Sequence, residues 1–190
     1  MRVKICGITS VSDAKMAEDA GADAIGVIVC SDSPRNLSFE EAGAILASVG
    51  PFVTTVCVTH STSEDDLRAI LALRPHAVQI FSDLAVPPES AVKVLRAVAP
   101  GDSPSEDCSA LIIDGSHGKG RQFDPVFAKT LVKRSRVPVI LAGGLTPENV
   151  GAAIEEIKPY AVDVASGVEF KPGIKDERKV REFLRICRGV

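Results

Sequence analysis

Aromatic side chains are scarce in this sequence, which has seven Phe, one Tyr and no Trp among 190 residues. A surface that stacks the bases of single-stranded nucleic acid needs exposed aromatic rings, so this composition argues against one. Lys and Arg number 22 and Asp and Glu number 25, which gives a formal net charge of −3. Without a basic excess, we expect neither a nucleic acid nor an anionic membrane surface as a partner.

Metal-type and disulfide-type patterns are also missing. The five cysteines contain no Cys-x-x-Cys pair, and the three His have no metal-type spacing. An odd cysteine count with such spacing fits neither a disulfide framework nor a zinc site. We therefore expect no bound metal.

The sequence has no apolar run of the roughly 18–20 residues that a membrane span needs. The N-terminus lacks the long apolar segment of a signal peptide, so we expect a cytoplasmic protein. The length fits a single domain over residues 1–190. A domain near this size buries roughly 70% of its unfolded surface, enough for a substantial core.

The sequence does contain a regular alternation of apolar runs and amphipathic segments. The runs are continuously apolar, which is typical of parallel strands covered on both faces. They predict strands at 2–6, 24–29, 52–58, 77–81, 110–113, 137–142 and 160–165. An eighth segment, 91–98, is ambiguous between a strand and the end of a short helix.

Seven or eight strand–helix units predict an α/β fold, the (β/α)8 TIM barrel. An open doubly wound sheet is the alternative, but no Gly-x-Gly-x-x-Gly follows the first strand, which disfavours a dinucleotide-binding form. The chain is shorter than the usual minimum of about 200 residues for this barrel. We expect trimmed helices around the proline-rich residues 86–109. A frayed fifth strand there would expose apolar surface for a second subunit, so a monomer and a homodimer stay equally open.

Two small-residue loops indicate a phosphate site. The seventh predicted strand ends in Gly143-Gly144, and the eighth leads into Ser166-Gly167. Small residues let backbone N–H groups approach phosphate oxygens closely, and these two loops often bind phosphate in barrels. Either pair alone is equally consistent with a tight left-handed turn, but both together favour phosphate.

Further motifs follow the strands in a fixed order. They are Val3-Lys4-Ile5-Cys6-Gly7-Ile8-Thr9; Ser33-Pro34-Arg35; Ile113-Asp114 with Gly118-Lys119-Gly120 and Phe123-Asp124; Leu141-Ala142-Gly143-Gly144-Leu145 with Pro147-Glu148-Asn149-Val150; and Val162-Asp163-Val164 with Ser166-Gly167-Val168-Glu169, Pro172-Gly173 and Lys175-Asp176. This ordered set resembles the phosphoribosylanthranilate isomerase family of tryptophan biosynthesis. Only residues 86–109 have no clear counterpart.

The resemblance implies an isomerase without a cofactor that acts on a small phosphorylated sugar. Members of the family convert N-(5-phosphoribosyl)anthranilate to 1-(2-carboxyphenylamino)-1-deoxyribulose 5-phosphate by an Amadori rearrangement. An acid protonates the ribose ring oxygen to give a Schiff base, and a base then removes the C2 proton. The alternatives are another phosphosugar isomerase or epimerase on the same barrel and a non-catalytic paralogue.

The resemblance also assigns roles to residues. It implies that Cys6 is the general base and Asp114 the general acid. A thiol needs a nearby cation or helix dipole to ionise at neutral pH, and an acid must hold its proton, which burial favours. A small core cysteine and a loop-capping aspartate are the ordinary alternatives.

By the same resemblance, Arg35 binds the anthranilate carboxylate, since a guanidinium pairs bidentately with a planar carboxylate. A solvated loop arginine is the alternative. Asp163 is implied near the substrate's hydroxyl or amine, with a buried structural carboxylate as the alternative. Lys4 is expected in the barrel interior or at its rim with an acidic partner, for which Asp163 is the candidate.

The sequence departs from the family pattern in three places. Many members have Gln-Leu-His-Gly after the fourth strand, where this chain has Gln79-Ile80-Phe81-Ser82, so the imidazole is replaced by a ring suited to stacking on anthranilate. The common Gly-Phe-Val-Phe of the second strand is Gly26-Val27-Ile28-Val29 here. The loop after Asp114 has extra basic residues, including His117, which is either a solvated side chain or a new substrate contact.

Overall fold

A computed structural model describes residues 1–102, 105, 107–114 and 122–189 of the chain. Its centre is a closed barrel of parallel strands. In chain order these are β1 (Arg2–Cys6), β2 (Ala24–Val29), β3 (Thr54–Thr59), β4 (Ala77–Ile80), β5 (Lys93–Val98), β6 (Ala110–Ile113), β7 (Val139–Leu141) and β8 (Ala161–Val164). Each strand pairs with the next, and β1 pairs with both β2 and β8, which closes the ring. The predicted barrel is confirmed, and the open doubly wound sheet is wrong.

Helices surround the barrel. They are α1 (Val11–Asp19), α2 (Phe39–Ser48), α3 (Glu64–Ala72), α4 (Pro125–Arg134), α5 (Pro147–Ile157) and α6 (Glu177–Gly189). The side chains of Ser10, Ser38, Ser63 and Asp124 each accept a hydrogen bond from a backbone N–H of the first helical turn. Such caps satisfy donors that have no partner inside the helix, so the sequence marks where these helices begin.

The trimming predicted around 86–109 is confirmed. In the described residues, β4 is followed only by a 3₁₀ turn at Pro88–Ser90, and no helix lies between β5 and β6. Ala91 ends the turn in a left-handed conformation with φ of 56°. The ambiguous segment 91–98 is a strand, β5, which pairs with both β4 and β6. The barrel therefore has no open seam there.

The core lies on both sides of the strands. The larger cluster, between the sheet and the helices, contains the fully buried side chains of Ile5, Ile25, Leu111 and Phe183. Smaller clusters, around Val58 and around Ile112, fill the barrel. Burial of each large aliphatic side chain contributes roughly 1.5–3 kcal/mol, which explains why most residues of the strands are apolar.

Several predicted strand ends are wrong by one or two residues. The strand predicted at 52–58 begins at Thr54, because Phe52 lies in the preceding turn and is 97% exposed. The segments 77–81, 137–142 and 160–165 are also longer than the observed strands β4, β7 and β8. At the carboxyl ends, their apolar pattern continues into the loops that line the barrel mouth, and at the amino ends of β7 and β8 it begins in the preceding loops. No helix of the described chain is long and apolar enough to cross a membrane.

Candidate active site

One pocket at the carboxyl ends of the strands is lined by every site residue predicted from the sequence. These residues are Cys6, Arg35, Asp114, Gly143, Gly144, Asp163, Ser166 and Gly167. They converge because the carboxyl ends of parallel strands and the loops that follow them meet at the same rim of a closed barrel. Their neighbours in the pocket include Ser33, His60, Gln79 and Phe81.

Three buried side chains, those of Lys4, Gln79 and Asp163, form a hydrogen-bonded polar group at the base of this pocket. Lys4 Nζ donates hydrogen bonds to Asp163 Oδ1 at 3.0 Å and to Gln79 Oε1 at 2.9 Å. The predicted pairing of Lys4 with Asp163 is thus confirmed, whereas the contribution of Gln79 was missed. Gly26 on β2 leaves room for the group, since a Cβ there would lie 2.9 Å from Cys6 Sγ and 3.0 Å from Lys4 Cε.

The ionisation of Cys6 depends on these neighbours. Burial raises the pKa of the Cys6 thiol, and Asp163 adds to the rise while the Lys4 ammonium opposes it. Burial alone would lower the pKa of Lys4, but Asp163 and Cys6 outweigh it, so Lys4 remains charged. The resting side chain of Cys6 is therefore a thiol at neutral pH, and Lys4 is the cation placed to stabilise its thiolate.

Asp114 and Asp163 approach the pocket from β6 and β8. Asp114 is half-buried, and its backbone N–H donates to Val98 O at 3.1 Å. Asp163 is buried, which raises the pKa of its carboxyl; Lys4 opposes this rise and Asp114 adds to it. The two carboxyl groups are therefore close enough to interact electrostatically. The motif Gly118-Lys119-Gly120 and His117 lie outside the described residues.

Arg35 is not the solvated loop arginine that the sequence left as an alternative. It precedes a two-residue strand, Asn36–Leu37, which pairs with β2 and holds the loop against the barrel. The Arg35 side chain is buried, and its Nε and Nη2 each donate to a carboxylate oxygen of Glu169 at 2.7 Å. Glu169 was quoted from the sequence only as part of a motif, and its contact with Arg35 was not predicted.

The two small-residue loops lie against each other. Gly143 and Gly144 have φ of 94° and 64°, so the left-handed turn expected as the ordinary alternative is present. Asn149 at the start of α5 fixes this turn by donating from Nδ2 to Gly144 O at 2.9 Å. A Cβ on Gly167 would lie 1.8 Å from Leu145 O, so this glycine permits the close contact between the loops. In the described chain, the N–H groups of Gly144 and Gly167 form no backbone hydrogen bond.

His60 and Phe81 form one wall of the pocket at the ends of β3 and β4. Their rings stack with centroids 4.2 Å apart and an interplanar angle of 24°. Ser31 Oγ lies 2.9 Å from His60 Nδ1. An imidazole, that of His60, thus lies at the end of the strand before β4. Their positions at adjacent strand ends were the available signal, but the stacking itself was not predicted.

The family follows from a comparison of the whole chain. Residues 3–185 match the family model of N-(5'phosphoribosyl)anthranilate (PRA) isomerase. The chain belongs to this family. It is 56% identical to N-(5'-phosphoribosyl)anthranilate isomerase of Methanoregula boonei over 189 residues, which are 99% of this chain and 97% of that protein.

Solved structures of PRA isomerases have the same fold. The crystal structure of phosphoribosyl anthranilate isomerase from Thermus thermophilus is 34% identical, has a TM-score of 0.87, and the match covers 100% of this chain and 99% of that one. A crystal structure of PRA isomerase in complex with reduced 1-(o-carboxyphenylamino)-1-deoxyribulose 5-phosphate is 32% identical over the full length of both chains, with a TM-score of 0.83.

The packing of Gly167 gives a testable prediction for this PRA isomerase family member. Gly167→Ala is expected to separate the two loops, because the new methyl group overlaps the backbone oxygen of Leu145. We expect the affinity for ribose 5-phosphate, measured by calorimetry, to fall about 5-fold or more, since overpacking costs about 1–3 kcal/mol. Gly43→Ala is the control, because a Cβ there makes only an ordinary contact with Leu73. Equal affinities of Gly167→Ala and wild type would contradict the packing argument.

Proposed function

We propose that this protein catalyses the Amadori rearrangement of N-(5'-phosphoribosyl)anthranilate, with Cys6 as general base and Asp114 as general acid. The observation that carries the proposal is the order of groups around the rim. Arg35 follows β2, Cys6 ends β1, Gly167 follows β8 and Gly144 follows β7. Cys6 therefore stands between a guanidinium and the two glycine loops, as a substrate with a carboxylate at one end and a phosphate at the other requires.

The two ends of the pocket have different binding chemistry. We assign the phosphate to the backbone N–H groups of the Gly143-Gly144 and Ser166-Gly167 loops, which meet through the contact between Gly167 and Leu145. We assign the anthranilate carboxylate to Arg35, because a guanidinium provides two parallel donors to a planar carboxylate. The ribose then lies over Cys6 and Asp163, within reach of Asp114.

The proposed reaction uses one proton donor and one proton acceptor. Asp114 donates a proton to the ribose ring oxygen, the bond from that oxygen to C1 breaks, and the substrate nitrogen forms a Schiff base with C1. Cys6 first loses its thiol proton to solvent, and the resulting thiolate removes the proton from C2, which gives an enolamine. The enolamine becomes the ketone when its C2 hydroxyl loses a proton and C1 takes one up. Lys4 stabilises the thiolate, and Asp163 keeps Lys4 charged.

The residues of the site favour this chemistry over the alternatives. A two-carboxylate isomerase on the same barrel would need a second acid or base beside Asp114, and Asp163 is engaged by Lys4 at 3.0 Å. Because the family belongs to tryptophan biosynthesis, we also propose that the enzyme is cytoplasmic and that its phosphorylated substrate is soluble.

The turnover of freshly generated N-(5'-phosphoribosyl)anthranilate tests the function. We expect wild-type protein to abolish the fluorescence of this substrate and Asp114→Asn to lower kcat by about 10²–10⁴-fold. The control is Asp83→Asn, which removes another loop carboxylate whose side chain is fully exposed. Asn at position 114 keeps the side-chain shape, so the affinity for ribose 5-phosphate should not change.

Two outcomes would contradict the proposal in different ways. A folded wild-type protein that binds ribose 5-phosphate without consuming the substrate would act on a different phosphosugar. A folded protein that binds neither compound would be a non-catalytic paralogue.

A further inference from the structure

Among the described residues, hydrogen bonds hold the guanidinium of Arg35 along one of its edges. Its Nε and Nη2 donate in parallel to the two oxygens of Glu169, each at 2.7 Å. A guanidinium has five N–H groups in one plane, and this side-on pairing uses two of them. In the described part of the chain, Nη1 of Arg35 forms no hydrogen bond. The Nη1–Nη2 edge is therefore the one that Arg35 has left for a ligand.

The carboxylate of Glu169 is held in turn by Lys175 and by the backbone of Gly173. Its Oε1 accepts hydrogen bonds from Lys175 Nζ at 2.9 Å and from the backbone N–H of Gly173 at 3.3 Å. Glu169 and Lys175 are buried and lie opposite each other in the short antiparallel hairpin of Glu169–Lys171 and Ile174–Lys175. Burial by itself raises the pKa of Glu169, but Arg35 and Lys175 outweigh it and lower the pKa, so the group remains a carboxylate.

The same hairpin is connected to the rest of the site. Lys175 Nζ also donates to Ala165 O at 3.1 Å, in the segment that leads from β8 into the Ser166-Gly167 loop. On the other side, the aliphatic part of Arg35 lies on Gly7, where a Cβ would be 2.5 Å from Arg35 Cδ. The plane of the guanidinium is thus fixed relative to both the Ser166-Gly167 loop and the residue that follows Cys6.

We propose that Glu169, held by Lys175, is a positioning residue that sets the plane of Arg35 and directs its remaining edge to the substrate's carboxylate. The inference rests on the proposed function and adds a residue that touches no substrate atom. A long, unrestrained arginine side chain would lose rotamer freedom on binding, and the bidentate contact needs guanidinium and carboxylate in one plane. Because Glu169 already holds the Arg35 guanidinium in one plane, this loss of rotamer freedom no longer opposes substrate binding.

The test compares two ligands and one substrate. Glu169→Gln keeps the shape of the side chain but replaces one acceptor oxygen with a donor group. We expect the Kd of reduced 1-(o-carboxyphenylamino)-1-deoxyribulose 5-phosphate and the KM of the substrate to rise about 10-fold or more, as for a lost charge-assisted contact. The Kd of ribose 5-phosphate, which has no carboxylate, and kcat should stay within about 2-fold of wild type.

Two further variants separate positioning from general support of the fold. Lys179→Met is the matched control, because Lys179 Nζ donates to the backbone oxygen of Glu169 at 2.9 Å and leaves the carboxylate alone. We expect Lys179→Met to bind the reduced analogue and ribose 5-phosphate with the same ratio of Kd values as wild type. Arg35→Ala should lose the preference for the carboxylate-bearing ligand, and adding Glu169→Gln should have no further effect on that ligand, because Glu169 acts through Arg35.

Either of two results would overturn the inference. One is an equal loss of affinity for both ligands in Glu169→Gln, which is what a purely structural role predicts. The other is an additional loss when Glu169→Gln is combined with Arg35→Ala. If wild-type protein neither binds the reduced analogue nor turns over the substrate, the proposed function fails and this inference fails with it. If wild type does both, the result bears on Glu169 alone.

Discussion

Replacement of Cys6 by Ser is expected to lower kcat by about 10²–10⁴-fold, the usual cost of losing a general base. A serine hydroxyl is a far weaker acid than a thiol, so it forms no useful anion beside Lys4. The substitution is nearly isosteric and Cys6 is buried at the end of β1, so the pocket should keep its shape. The initial rate of fluorescence loss at saturating substrate measures kcat, and calorimetry with ribose 5-phosphate should give the wild-type Kd.

Cys108→Ser is the control for this variant. Cys108 is half-buried, precedes β6 and does not line the pocket, so its replacement should leave kcat unchanged. A Cys6→Ser enzyme that keeps more than about a tenth of the wild-type rate would remove Cys6 from the role of base.

Lys4→Met is expected to be the most destabilising of the single substitutions considered. It leaves the buried carboxylate of Asp163 without its cation, and breaking a buried ion pair in this way costs about 3–5 kcal/mol of the free energy of unfolding. Urea denaturation measures the loss. Adding Asp163→Asn removes the unpaired charge, so the double variant should recover much of the stability. Recovery should be incomplete, since Gln79 also loses the Lys4 donor.

An exposed ion pair provides the control for Lys4→Met. Lys129 Nζ lies 2.8 Å from Glu156 Oε1, but both side chains are about half exposed, so Lys129→Met should cost no more than about 1 kcal/mol. Loss of the Lys4 ammonium should also raise the pKa of Cys6 further. The residual activity should then need a higher pH to form the thiolate, and the rising part of the pH–rate profile should move to higher pH. Equal stability losses in Lys4→Met and Lys129→Met would contradict the assigned role of Lys4.

The positions of most strands along the chain were predictable because parallel strands in a closed barrel are covered on both faces and are therefore mostly apolar. β5 was the exception. Its residues are mostly half-buried, and no helix in the described residues covers it, so the local pattern could not separate a strand from a helix end. Pairing with β4 and β6 decides its conformation, and such long-range pairing overrides local propensity. Phe52 caused the opposite error, a strand predicted too long. It is apolar and close to β3, but it lies exposed in the preceding turn.

The members of the site were more predictable than their contacts. Strand-end position and motif order placed Cys6, Asp114 and Arg35 at one rim, because barrel geometry brings strand ends together. The contacts of Arg35 with Glu169 and of Lys4 with Gln79 join residues 134 and 75 positions apart. Such contacts depend on register and side-chain direction in the closed barrel, which a single sequence does not specify.

A crystal structure of this protein with reduced 1-(o-carboxyphenylamino)-1-deoxyribulose 5-phosphate would test the assignment of the site most directly. The phosphate should lie on the N–H groups of Gly144 and Gly167, and the carboxylate on the free edge of Arg35. The carbon that corresponds to C2 should lie about 3–3.5 Å from Cys6 Sγ, the separation required for reaction. A ligand bound in the reverse direction, or with Cys6 out of reach of this carbon, would contradict the proposed mechanism.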